Sequence, residues 1–288
     1  MIPAQFDYLA PATLDEAVSL LAQNADDAKI LAGGHSLIPA MKLRLAQPQI
    51  LIDIGRIKDL SYIREEGDQV RIGAMTTHHQ IESSNRLREI CPLLPETASQ
   101  IGDVQVRNKG TIGGSLAHSD PAADWPAPII ALGAEMVAVS TRGERVIKAD
   151  DFFVDMLTTA LEPGEILREI RINTQQGRTG HAYMKVKQPA SGFAVVGVAV
   201  NLTRNPDETC RSISIGITGV STKAYRARGV EDALNGSALD EQSISAAAAR
   251  VADGVDINAD LYASSDYRRH LAQVHTRRAI LAAASRAT

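Results

Sequence analysis

Two glycine pairs, 80 residues apart, constrain this chain more than any other feature. The first lies in Leu31-Ala32-Gly33-Gly34-His35-Ser36-Leu37, after the short run Ala28-Lys29-Ile30 and before the helical-looking segment Ile38 to Leu45. The second lies in Gly110-Thr111-Ile112-Gly113-Gly114-Ser115, within the stretch from Val104 to Ala127. Glycine lets a backbone turn sharply and lets a ligand approach the main chain closely. Consecutive N–H groups in such a turn converge on an anion, and a helix starting just beyond adds partial positive charge. The first loop lacks the third glycine of the classical dinucleotide fingerprint, and no Lys-Ser or Lys-Thr follows it as a P-loop requires. A surface turn explains either pair alone, whereas two such loops suit a ligand with two phosphates. Asp120 and Asp124 follow the second pair and are of the right type to accept ribose hydroxyls.

The 288 residues allow two domains or three small ones, and a hydrophobic share of 44% provides a sizeable core. The net charge is -4 and there is no basic block, so nucleic acid is not an expected partner. The two cysteines, Cys91 and Cys210, are far apart, read as free thiols, and are too few for an iron–sulfur cluster. Low cysteine use and the lack of any long apolar run lead us to expect a cytoplasmic chain with no signal peptide and no membrane helix.

In chain order, Thr13 to Glu16 reads as a capping box opening a helix to about Ala22. Asn24 to Asp27 reads as a polar turn, Lys29 to Ala32 as a strand, and Leu51 to Ile54 as the next strand, giving a small α/β unit over residues 1–55. From 56 to 175 we expect a larger α+β unit: hairpins at Ser61 to Ile72 and Glu135 to Ile147, a helix capped by Thr76 or Thr77, helices opening at Pro92 and Trp125, and a strand from Ile166 to Ile172. Val104 to Arg107 reads as the lead into the central loop. Asn173 to Gly180 reads as a linker. A third unit, 176–288, has strands at His181 to Lys187, Val195 to Thr203 and Ser212 to Thr218, then helices at Tyr225 to Leu234, Glu241 to Asp253 and Ser264 to Ala284.

Adjacent His78 and His79 cannot share a helix face and read as surface or cap residues. His35 and His118 flank the glycine pairs, where an imidazole donates to phosphate or packs on a planar ligand. The arginines of the last helix (Arg268, Arg269, Arg277, Arg278) read as a solvated face.

The motifs Ala-Gly-Gly-His-Ser-Leu and Gly-Thr-Ile-Gly-Gly-Ser, with Ile2-Pro3, Gly73-Ala74-Met75-Thr76-Thr77, Tyr267-Arg268 and Arg277-Arg278, resemble the flavin-binding medium subunit of molybdenum hydroxylases, carbon monoxide dehydrogenase type. The resemblance implies an α+β fold: a two-part FAD-binding region of the vanillyl-alcohol-oxidase/PCMH type, then a C-terminal α+β domain. It implies that Ala32, Gly33, Gly34, His35, Ser36 and Leu37, with Thr111, Ile112, Gly113, Gly114 and Ser115, hold the FAD pyrophosphate. It adds Asp124 as a carboxylate on FAD, Leu167 as a residue lining the flavin, and Lys185 beside the isoalloxazine ring. His118 and Asp120 complete the candidate set. Phe193 stands where the family pattern has a tyrosine, so it can cover a ring face but cannot hydrogen-bond. Ser115 to His118 also departs from the usual asparagine and alanine, which leaves the substrate open. The implied partners are a large subunit with the molybdenum cofactor and a small subunit with two [2Fe-2S] clusters, in a dimer of heterotrimers. Electrons would pass from those clusters through FAD to an external acceptor. The rival expectation is a self-sufficient FAD-dependent oxidase of the related fold.

Overall fold

The computed structural model describes residues 1–24, 26–174 and 177–288. The first unit comprises β1 (Asp7–Leu9), α1 (Leu14–Gln23), β2 (Ala28–Leu31), α2 (Leu37–Lys42) and β3 (Ile50–Asp53). Its three strands are parallel with β3 in the centre, the arrangement that helical crossovers produce. Thr13 caps α1 by accepting from Glu16 N–H at 3.2 Å, while the Glu16 carboxylate reaches back to the Ala12 N–H at 2.8 Å. Ala17, Val18 and Leu21 then pack on Ile52 and Ile54. Part of the expected turn at 24–27 lies outside the described residues.

The second unit runs through β4 (Ile63–Glu66), β5 (Gln69–Gly73), α3 (His78–Ser83), α4 (Asn85–Ile90), α5 (Leu93–Ala98), α6 (Val104–Lys109), α7 (Ile112–His118), α8 (Pro126–Ala131), β6 (Glu135–Ser140), β7 (Gly143–Lys148), α9 (Ala149–Phe152), β8 (Phe153–Asp155), β9 (Thr158–Thr159) and β10 (Ile166–Asn173). The two expected hairpins flank β10 in one antiparallel sheet of order β4-β5-β10-β6-β7. Its core holds Trp125, Phe152, Leu93, Leu94, Ile112 and Leu116, all fully buried; each such side chain contributes about 1.5–3 kcal/mol.

Two sequence expectations change here. Residues 104–107 form a helix, because the Asp103 carboxylate caps it by accepting from Val106 N–H at 2.9 Å. The glycine pair at 113 and 114 lies inside the first turn of α7, capped by the Thr111 hydroxyl, and is not a turn preceding a helix.

The third unit contains β11 (Thr179–Lys187), β12 (Ala194–Arg204), β13 (Cys210–Thr218), β14 (Tyr225–Arg226), α10 (Arg228–Leu234), α11 (Glu241–Ala248) and α12 (Ser265–Arg286). Tyr225 and Arg226, expected in a helix, instead pair with Ile217 and Gly216, so the helix starts three residues late. Residues 175 and 176 of the expected linker lie outside the described residues, and β10 and β11 take up half of the remainder (Asn173, Thr179 and Gly180). Arg268 of α12 is 6% exposed, not solvated. Its guanidinium donates to the carbonyl oxygens of Val195 (2.6 Å) and Gly219 (2.5 Å) and to Asp260 (2.5 Å), pinning the helix to the sheet. Gly216 packs directly on the Ala127 backbone of α8, and Asn201 donates to Ala131 O at 3.4 Å, so α8 is shared by the second and third units.

Candidate functional site: two glycine loops and a buried Asp–Lys–Tyr cluster

The first loop leaves the carboxyl end of β2, where Ile54 N–H closes on Leu31 O at 3.1 Å. Gly34 takes φ +76°, a left-handed conformation that favours glycine. The N–H groups of Gly33, Gly34, His35, Ser36 and Leu37 find no acceptor among the described residues. Ser36 precedes α2 without spending its hydroxyl on a cap. Five successive unpaired donors with a hydroxyl among them are the groups that an anion-binding nest is built from.

The second loop has spent most of its donors. Ile112 N–H bonds Thr76 O at 3.0 Å, Gly113 N–H bonds Ala74 O at 2.9 Å, and Gly114 N–H bonds the Thr111 hydroxyl at 3.1 Å. Here the glycines serve close approach. A Cβ on Gly113 would lie 2.6 Å from Ala74 O, and one on Gly114 would lie 3.3 Å from the Ala32 Cβ. A Cβ on Gly33 would lie 2.8 Å from Gly110 Cα. His35 completes the seam, its Nε2 lying 3.3 Å from Gln105 O. The two loops therefore touch: the first supplies donors, and the second supplies a surface without side chains plus the half-buried Ser115.

His118 ends α7, and Ser119 at φ +52° turns the chain toward Asp120. Asp120 accepts from Ala122 N–H at 2.8 Å, and Ala122 O accepts from Ala194 N–H at 3.0 Å. That contact brings Phe193, 42% exposed, beside this segment. Asp124 is buried, and Tyr183 donates to its Oδ1 at 2.5 Å. Lys185 Nζ lies 2.8 Å from the same carboxylate and also donates to Gln100 O at 3.0 Å. The Lys185 side chain is 1% exposed, so it is not the solvated strand lysine that sequence alone favours. Burial pushes the Asp124 carboxyl up, against the pull of Lys185, and pushes the Lys185 ammonium down, against the pull of Asp124. The Tyr183 phenol is held well above its ordinary range by burial and by the neighbouring carboxylate.

Leu167 is a core residue of β10 packed in the same cluster as Ile112 and Leu116 of α7. Sequence reasoning missed three residues. Tyr183 is one, although its two-residue spacing from Lys185 on a strand puts both on one face. Lys187 is the second: it is exposed, and its Cε lies 3.4 Å from where a Gly192 Cβ would be, beside Phe193. His78 is the third; it is buried and not at the surface. Among the described residues no cluster of three or more His, Cys, Asp or Glu side chains could hold a metal ion, and no helix is long and apolar enough to cross a membrane.

A run of free donors packed on a glycine helix, followed by a buried carboxylate cluster and an exposed aromatic, has the donor set that an elongated diphosphate-containing ligand requires. Comparison with known proteins makes the class specific. Residues 4–174 match the FAD binding domain in molybdopterin dehydrogenase, and residues 181–283 match the CO dehydrogenase flavoprotein C-terminal domain. The chain is 44% identical over 286 residues, 99% of each chain, to the carbon monoxide dehydrogenase medium chain of Hydrogenophaga pseudoflava. It is 37% identical, over 97% of each chain, to the nicotine 6-hydroxylase medium subunit of Paenarthrobacter nicotinovorans. Among solved structures, carbon monoxide dehydrogenase from H. pseudoflava superposes with a TM-score of 0.97 at 44% identity, covering 100% of both chains. Quinoline 2-oxidoreductase from Pseudomonas putida 86 gives 0.93 at 33% identity, covering 100% of this chain and 99% of that one. The chain belongs to the family of FAD-binding medium subunits of molybdenum hydroxylases, the family its motifs resemble.

Proposed function

We propose that this chain is the flavin subunit of a heteromeric molybdenum hydroxylase, carrying electrons from the iron–sulfur clusters of a small partner to an external acceptor in the cytoplasm. A large partner would hold the molybdenum cofactor and the substrate, and two heterotrimers would pair. The observation that carries the reading is the run of free N–H groups from Gly33 to Leu37 facing a helix stripped of side chains at Gly113 and Gly114. FAD, when bound, supplies the step between one-electron clusters and a two-electron acceptor.

The chain's own residues do the rest. Gly33 to Leu37 bind the diphosphate through main-chain donors, aided by the Ser36 and Ser115 hydroxyls. His35 and His118 close the two ends of that seam. Asp124, oriented by Tyr183 and Lys185, presents a fixed carboxylate to the sugar side. Phe193 offers a ring face, and Lys187 places positive charge where the ring system would gather negative charge. Leu167 and α7 keep water from the inner side. No observation favours the single-chain oxidase.

The test compares the assembled complex with a complex lacking this chain, and measures substrate-dependent reduction of the acceptor together with FAD released by heating. Full-rate reduction without the chain, or a colourless complete complex, sinks the proposal.

A further inference from the structure

His78, at the start of α3, is 4% exposed and joins two parts of the site. Its backbone N–H donates to the Gly110 carbonyl oxygen at 3.0 Å. Its Nδ1 accepts from the indole N–H of Trp125 at 3.0 Å. A Cβ on Gly110 would lie 2.6 Å from its Nε2, so the imidazole also rests on that glycine. Gly110 leads into the second loop and is the surface on which Gly33 packs. Trp125 directly follows Asp124. One side chain thus grips the chain on either side of α7, at the phosphate end and at the Asp124 end.

A leucine would fill this space but would leave the buried indole N–H of Trp125 without an acceptor, and a buried polar group costs free energy unless it is bonded. The bond to the indole is therefore a specific use of the histidine. Because Nδ1 accepts, the ring proton resides on Nε2. Burial holds the ring's pKa down at about 3, so this neutral form persists throughout the working range.

We infer that His78 is a positioning residue for the cofactor, fixing the spacing between the second glycine loop and the Asp124–Lys185–Tyr183 cluster. The inference rests on the FAD reading above and adds a residue to it.

Three variants test it: H78L, H78Q and W125F. Trp125 is the chain's single tryptophan, so its emission reads the imidazole–indole bond with no cofactor present. H78L is expected to change that emission and to raise the FAD dissociation constant at least tenfold. H78Q retains an oxygen that can accept from the indole, and should stay within about threefold of wild type by the hydrogen-bond argument. W125F, with His78 intact, should reproduce the H78L weakening. Folding is followed by circular dichroism. Wild-type FAD affinity in folded H78L overturns the inference, as does an H78Q no tighter than H78L at equal folded content. Where H78L fails to fold, W125F decides: weakened binding supports the inference and wild-type binding overturns it. Wild-type chain that takes up no FAD, with or without its partners, ends the FAD reading and this inference with it. An emission difference between H78L and H78Q would then report a purely structural bond.

Discussion

Replacing Lys185 by methionine removes one member of a buried charge pair while keeping most of the stem volume. The Lys185 side chain is 1% exposed and that of Asp124 4%, with 2.8 Å between them. Breaking such a pair from one side costs about 3–5 kcal/mol, because the remaining charge is left buried and uncompensated. Tyr183 still donates to Asp124, which places the expectation toward the lower end. With a urea slope of about 2–3 kcal/mol/M, the unfolding midpoint falls by about 1–2 M at neutral pH. Emission from Trp125, the neighbour of Asp124, reports the transition locally. The pH dependence is the sharper part. Without Lys185, burial is opposed only by the Tyr183 hydrogen bond and the more distant Lys187 charge, so the folded pKa of Asp124 lies further above the unfolded value of about 3.9. Its contribution is then fully present below the unfolded pKa and is lost as pH rises through the folded pKa. The K185M deficit should therefore be smallest in acid and largest at neutral pH. The double variant D124N/K185M, with neither charge, should recover part of the loss. A K185M midpoint equal to wild type, a deficit that grows toward acid, or a double variant no better than K185M would refute the reasoning.

How far the sequence could be read depended on how local the determining physics was. Thr13 names its own helix, and the Thr76-Thr77 pair names the next to within one residue, with Thr77 the cap, because a cap is settled within four residues of chain. The alternation in Gln69 to Ile72 and Glu135 to Ser140 marks strands for the same reason. That the two hairpins share one sheet with β10 was not legible, since the pairing of Ile72 with Ile170 joins residues nearly a hundred apart. The first glycine loop was readable in position and in the free main-chain donors it carries. The second was readable in position only: whether Ile112, Gly113 and Gly114 offer or spend their donors depends on Ala74 and Thr76, which the local pattern does not reveal. Lys185 and Arg268 show the same limit. Charged residues on a strand or helix default to solvent, and only the folded partners Asp124 and Asp260, with the carbonyls of Val195 and Gly219, explain their burial. The family resemblance pointed to Asp124 and Leu167 but not to Tyr183, whose claim rests on one phenol–carboxylate hydrogen bond.

G33A tests the seam between the loops. Its Cβ would meet Gly110 Cα at 2.8 Å and the Lys109 carbonyl oxygen, and neither backbone can step aside as a flexible side chain would. Such overpacking costs about 1–3 kcal/mol, and the flavin-to-protein absorbance ratio after reconstitution should fall at least tenfold relative to wild type; an unchanged ratio would show that the loops need not touch. H181L tests acid sensitivity. His181 is 8% exposed, its Nδ1 has no partner among the described residues, and burial, helped by nearby Arg286, pushes its pKa down from 6.5 to about 4. Between those two values the unfolded chain holds a proton that the folded chain lacks, so stability falls as pH falls, by at most about 1.4 kcal/mol per pH unit. Leucine cannot take up that proton in either state, and it leaves no polar atom unpaired in the pocket. Urea midpoints measured at intervals from pH 7.5 to 4.5 should therefore decline less steeply for H181L, by about one proton. The histidine part of the residual slope would belong to His78, which burial holds neutral down to about pH 3, and to His275, whose ring burial also pushes down; both remain in place. Parallel curves for the two proteins would mean that His181 takes up its proton in the folded state as readily as in the unfolded one, and that its burial does not set the acid limit.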